Sequence, residues 1–239
     1  MAATGEDKMS NVFGFSTEPT PASDFLPIIK IDARAGKIFR MDRVAGADGF
    51  FNEPVEITQS FKALADFENI ETGWIDFAAG SAPSFALVPM GTRIPERPSE
   101  RHKNGIRFML KLAKECGGDK PIREVAGTSK AFLSGIEAVY KLYQAGKAAN
   151  PGKLPVITVT KWTPVKSGSG AQTSTNYHPT FAIVAWAPRG DLAFVPKTAA
   201  ATTTQSSSSP AGSSPPASPP STGSTQVKAP MADADSDFG

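Results

Sequence analysis

The chain of 239 residues contains a single cysteine, Cys116, and two histidines, His102 and His178. One thiol cannot close an internal disulfide, and so few soft or borderline ligands fall short of a zinc site. No apolar run approaches the ~18 residues that a bilayer span needs. The opening stretch MAATGEDKMSNVFGF carries two acids and no apolar core, unlike a secretory signal. These scarcities predict a soluble, cytoplasmic protein that binds no metal and no cofactor and makes no membrane contact.

The patterns of catalysis are also sparse. A hydrolytic triad needs a histidine within reach of a nucleophile and an orienting acid. His102 falls in a charged, Pro-rich stretch, and His178 sits between Tyr177 and Pro179. The loop Ser167-Gly-Ser-Gly170 lacks the spacing of a phosphate-wrapping loop and precedes a strand rather than a helix. Asp32, Asp42, Asp66 and Asp76 could serve a metal-dependent nuclease only by converging from ordered elements. The expectation is a protein that binds rather than an enzyme.

What is abundant is charge of one sign in one place. The total of +2 divides into −6 over residues 1–90, +10 over 91–197 and −2 over 198–239. A basic middle between acidic flanks is the pattern of a polyanion binder.

Residues 198–239 are low in complexity: Ser, Thr, Ala and Pro make up 30 of the 42. Such a segment has too little to bury to offset its ordering entropy, so a disordered tail is expected there, and residues 1–22 are expected to form a flexible arm. Between them, 23–197 reads as one folded domain. Its main apolar period is two, the strand period. Ile29, Ile31 and Ala33 alternate with Lys30, Asp32 and Arg34; Gly36 allows a turn; 37–43 resumes the alternation. Further extended runs lie at 54–66, whose later half also admits a helical reading, and at 74–77, 84–88, 106–112, 154–162 and 180–186, with a basic loop over 89–104. One helix is predicted from Ser129, since Phe132, Leu133, Ile136, Val139, Tyr140 and Tyr143 form a single 3.6-residue stripe. Strands, one helix, then closing strands predict a mainly β fold, an OB-like Greek-key barrel with extra hairpins.

Binding a single strand without base preference takes cations along the phosphates and aromatic faces for the bases. The candidates are Arg34, Lys37, Arg40 and Arg43 in the first hairpin; Trp74; Arg93, Arg97, Arg101 and Lys103 in the loop; Arg107 and Lys111 on one strand face; then Lys161, Trp162, Lys166 and Tyr177. Phe108 and Trp186 are expected in the core, while burial and exposure both remain open for Trp74 and Trp162.

The basic strands, the small-residue spacer and the tip Met231-Ala-Asp-Ala-Asp-Ser-Asp-Phe-Gly239 together resemble phage and bacterial single-stranded DNA-binding proteins. The segments from Leu26 through the Arg43 hairpin and from Val165 to Tyr177 look like those of phage-encoded members. The resemblance implies an OB-type core that coats and protects single-stranded DNA. It also implies a tail in which Asp233, Asp235, Asp237 and Phe238 dock replication, recombination or repair proteins and compete with DNA. In the family the tip usually ends on a Phe preceded by Pro; here Gly239 follows and Ser236-Asp237 precede. Homo-oligomerisation stays open, as do a strand-annealing recombination protein and a phage structural protein as alternatives.

Overall fold

The structure, a computed structural model, describes residues 26–46, 49–78, 82–169 and 173–197. The expected N-terminal arm and the C-terminal tail with its acidic tip lie outside the described residues. Among the described residues no helix is long and apolar enough to cross a membrane.

The two-residue alternation builds the first hairpin. In β1 (Ile28–Asp32) Ile29 is buried and Lys30 exposed, and β1 pairs antiparallel with β2 (Lys37–Gly46). The turn between them is closed by Asp32, whose Oδ1 accepts the N–H groups of Arg34 and Ala35, and by Gly36 at φ +64°. β2 continues into β3 (Gly49–Glu56). The run 54–66, expected as one strand, is instead the end of β3, a turn, and the short β4 (Lys62–Ala65). β5 (Glu71–Asp76) and β6 (Ser84–Pro89) form a hairpin. At Gly73 in β5, φ is +151° and a Cβ would lie 2.3 Å from the Ala86 carbonyl oxygen, so only glycine lets the two strands approach.

β7 (Lys103–Leu112) is the organising strand. Its first half pairs with β5, its last residues pair with β4, and its other edge pairs with β8 (Ile122–Gly127). The sheet runs β10-β9-β4-β7-β8-β1-β2-β3, with β5 and β6 on a branch from β7; β9 is Lys153–Ser167 and β10 is Ser174–Pro188. The pairing of β1 with β8 is parallel, so the ten-stranded sheet is mixed. It does not close into a barrel, which corrects the expected OB-like closure. Because one long strand serves different partners along its length, the sheet forks instead. A lone bond from the Tyr177 N–H to the Ala33 carbonyl, 2.6 Å, joins β10 to the β1–β2 turn without forming a ladder.

There are two helices among the described residues where one was expected. A single turn, α1 (Lys114–Gly117), follows β7. The predicted helix is α2 (Lys130–Lys147), started by Ser129, whose Oγ accepts the Phe132 N–H at 3.2 Å. Its buried stripe, including Phe132, Ile136, Val139 and Tyr143, packs onto the sheet. Phe67 meets Phe108, Tyr140 and Tyr143 edge-on, with centroids 5.3 to 5.9 Å apart. Phe108 is core, as expected; Trp186 lies partly buried on the core, stacked on Tyr143.

Candidate nucleic-acid interface

Trp74 stands on β5 opposite Ala86 of β6 and Asn104 of β7. Its indole Nε1–H donates to the Pro95 carbonyl at 2.8 Å, which folds the basic loop back over the hairpin. The Arg97 guanidinium lies 5.6 Å from the Trp74 ring centroid and donates to the carbonyls of His102, at 2.8 Å, and Glu100. Carbonyl dipoles and a ring face thus hold Arg97 in place while leaving its full charge, with no carboxylate paired to it among the described residues. His102 is buried at the loop's end, with Nδ1 2.8 Å from Ser99 Oγ and Nε2 3.3 Å from Ser84 Oγ. Arg101 is exposed and pairs with Asp76 at 3.0 Å. Arg93 and Lys103 are exposed and make no ion pair among the described residues. Phe77, also exposed, sits edge-on to Phe85 at 6.2 Å, and Lys197 Nζ lies 5.2 Å from the Phe85 centroid. Four of the expected residues, Trp74, Arg93, Arg97 and Arg101, are therefore gathered on β5 and the basic loop, while Lys103, which opens β7 opposite Ile75, lies on the other face of the sheet from Trp74.

The other candidates lie elsewhere. Arg107 is fully buried: it pairs with Glu71, with Glu124 at 3.0 Å, and donates to the Val195 carbonyl at 2.6 Å, with Phe194 stacked near it. Lys111 is mostly buried and bonds Asp191 at 2.8 Å. The exposed cationic row expected on this strand is thus corrected. β7 is interior to the sheet, and residues 189–197 cross the face that carries these two side chains. Lys37 pairs with Glu56 at 2.7 Å. Arg34 is exposed at the β1–β2 turn, where the half-buried Tyr177 packs against Gly36. Lys161 and Lys166 are exposed on β9, and Trp162 packs on the core.

Arg40 and Arg123 converge on Asp42, at 2.8 and 2.7 Å, and donate to the Cys116 and Met41 carbonyls. They line a groove of about 440 Å³ along the edge of β2 beyond the end of β1, together with Arg43, Lys120 and Phe50. Burial pushes the Asp42 carboxyl up, but the hydrogen bonds and charges of the two arginines outweigh it and leave its pKa below the ordinary value. A lowered folded-state pKa stabilises above the unfolded value and is lost as pH falls through the folded one. Acid melts should therefore show Asp42→Asn less sensitive than the native chain below about pH 4; equal pH profiles would refute this.

Each aspartate considered for nuclease chemistry is occupied: Asp32 by its turn, Asp42 by Arg40 and Arg123, Asp66 by Arg189 at 2.7 and 2.8 Å, and Asp76 by Arg101. Among the described residues no group of three or more His, Cys, Asp or Glu is placed to hold a metal ion. Sequence reading passed over Phe50 and Phe51, whose relative exposures are 66% and 53%. The signal for them is a pair of adjacent aromatics just after an Asp-Gly dipeptide in the sequence. Comparison of the chain with protein-family models, curated proteins and solved structures found no match.

Proposed function

We propose that this chain binds single-stranded nucleic acid, DNA in the first instance, with little base preference and without catalysis. The observation that carries the reading is the Arg97–Trp74 stack between β5 and its basic loop, with Arg93 exposed on the same loop. Binding a single strand requires cations for phosphates and aromatic faces for bases, and both occur on this one element. Arg97 and Arg101 are pre-positioned, so little side-chain entropy is lost when phosphate arrives. The acidic tip, with Asp233, Asp235, Asp237 and Phe238, then serves as the docking segment for replication or recombination proteins in the cytoplasm.

Tryptophan emission should fall when oligo-dT is added, because Trp74 lies in the site, and the apparent affinity should drop steeply with salt. Duplex of equal length should bind more weakly. Unchanged emission together with no mobility shift at low salt would reject the proposal.

A further inference from the structure

The β5–β6 hairpin ends beside a cavity of about 220 Å³ that lies between the hairpin and the C-terminal half of α2. The rings of Phe67, Tyr140, Tyr143 and Phe194 line it, and Asn69 and Gln144 bring polar groups to it. Strand register puts this cavity on the side that carries Trp74. The Met90 N–H donates to the Ile70 carbonyl at 2.8 Å, so these two lining residues continue the ladder that pairs Trp74 with Ala86. Ile70 and Trp74 are four residues apart and share a face, about 13 Å along the strand. Thr72 and Val88, paired between them, are only half-buried, so solvent reaches the surface that joins the cavity to the stack. The basic loop leaves Met90 at the cavity and reaches the Trp74 indole at Pro95, with Arg93 exposed partway along.

The charges around the cavity are already answered. Glu71 is held by Arg107, and Glu68 by Arg189 at 2.8 Å and by Lys147 at 3.6 Å. Its hydrogen-bonding capacity is not used up. The Tyr143 hydroxyl is buried and makes no hydrogen bond of good geometry, with the Lys147 ammonium close by. Asn69 donates to Asp66 at 2.9 Å and Gln144 donates to the Tyr140 hydroxyl, which leaves both amide oxygens without a partner among the described residues. A buried hydroxyl in that condition is costly, and its presence in a folded domain calls for an explanation. An occupant that supplies one must be flat and uncharged to lie among rings, and must carry both donors and acceptors. It must also be small, since drug-sized ligands take about 300–1,000 Å³. A single nucleobase meets these conditions, because unstacked bases are held against aromatic rings and bonded along their edges.

We propose that this cavity takes one base of the bound strand, turned out from its neighbours, next to the Arg97–Trp74 stack. The inference rests on the nucleic-acid reading above. It gives one position of the strand a contact to the base itself, in binding that otherwise follows the phosphates.

The test compares oligo-dT of about 20 nucleotides with a sugar–phosphate oligomer of equal length that carries no bases, on the native chain, Tyr143→Phe and Gln144→Ala. Each variant should bind oligo-dT roughly fivefold more weakly and bind the base-free oligomer as the native chain does. Thermal melts separate this from a structural role: Tyr143→Phe deletes a buried, unsatisfied hydroxyl, so its Tm should stay level or rise while its affinity falls. Gln144 is exposed on α2, which keeps the second variant folded whatever the first one does. Native affinity of both variants for oligo-dT, or an equal loss on the two ligands, would overturn the base site. Failure of the native chain to bind oligo-dT at all would instead reject the underlying reading.

Discussion

Arg107→Ala is expected to destabilise the domain by about 3–5 kcal/mol, because it strands two carboxylates in a dry site. Glu71 and Glu124 are nearly as buried as Arg107 itself, and only Lys197, from the edge, would remain near Glu124. For a domain of this size the loss corresponds to a fall in Tm of about 10 °C. The same change removes the Val195 carbonyl's donor and the cation facing Phe194. Amide exchange should therefore accelerate in residues 189–197 as well as in β7. The triple variant Arg107→Met, Glu71→Gln, Glu124→Gln should be far milder than Arg107→Ala, since replacing a whole buried ionic set costs less than breaking it. Urea or thermal melts decide the matter, and a loss below about 1 kcal/mol for Arg107→Ala would contradict the assigned role.

The second large effect concerns binding. Replacing Arg93, Arg97 and Lys103 together with glutamine should lower affinity for oligo-dT roughly a hundredfold at low salt and flatten the log–log salt slope by about 2, given about 0.7 per phosphate contact on a single strand. None of the three carries an ion pair among the described residues, and only Arg97 gives up structural contacts, its bonds to the His102 and Glu100 carbonyls and its place on the Trp74 ring, so the melting temperature should fall by only a few degrees. Arg97 holds a second readout. With its guanidinium gone from the Trp74 face, tryptophan emission of the free protein should shift even without nucleic acid. Full affinity with an unchanged salt slope would remove the hairpin and its loop from the interface.

Local patterns read true where one face of an element decides its environment. The α2 stripe from Phe132 to Tyr143 and its Ser129 cap follow from period and capping chemistry, and β1 follows from Ile29 set against Lys30. Patterning fails where both faces are covered. β8 was missed because Arg123 and Glu124 look solvated, whereas each is buried against a charge distant in sequence, Asp42 and Arg107. Arg107 was misread for the same reason: nothing local announces Glu71, 36 residues earlier, or the Val195 carbonyl, 88 residues later. The loop cations were legible as a group because Pro-rich polar sequence leaves them little structural employment. Their anchoring on Trp74 depends on strand register.

The segment that crosses β7 also sets an order of events during synthesis. Arg107 leaves the ribosome after Glu71, shortly before Glu124 and long before Val195, and residues 189–197 come last of all those that complete the site. At about 5–20 residues per second, the strand that organises the sheet waits on the order of ten seconds for its cover. Until then Glu71 and Arg107 must stay hydrated, and the centre of the sheet cannot dry. The final described residues thus act as the closing step of folding, and a nascent chain stalled before Arg189 would carry an open, charged seam where the finished domain has its most deeply buried arginine.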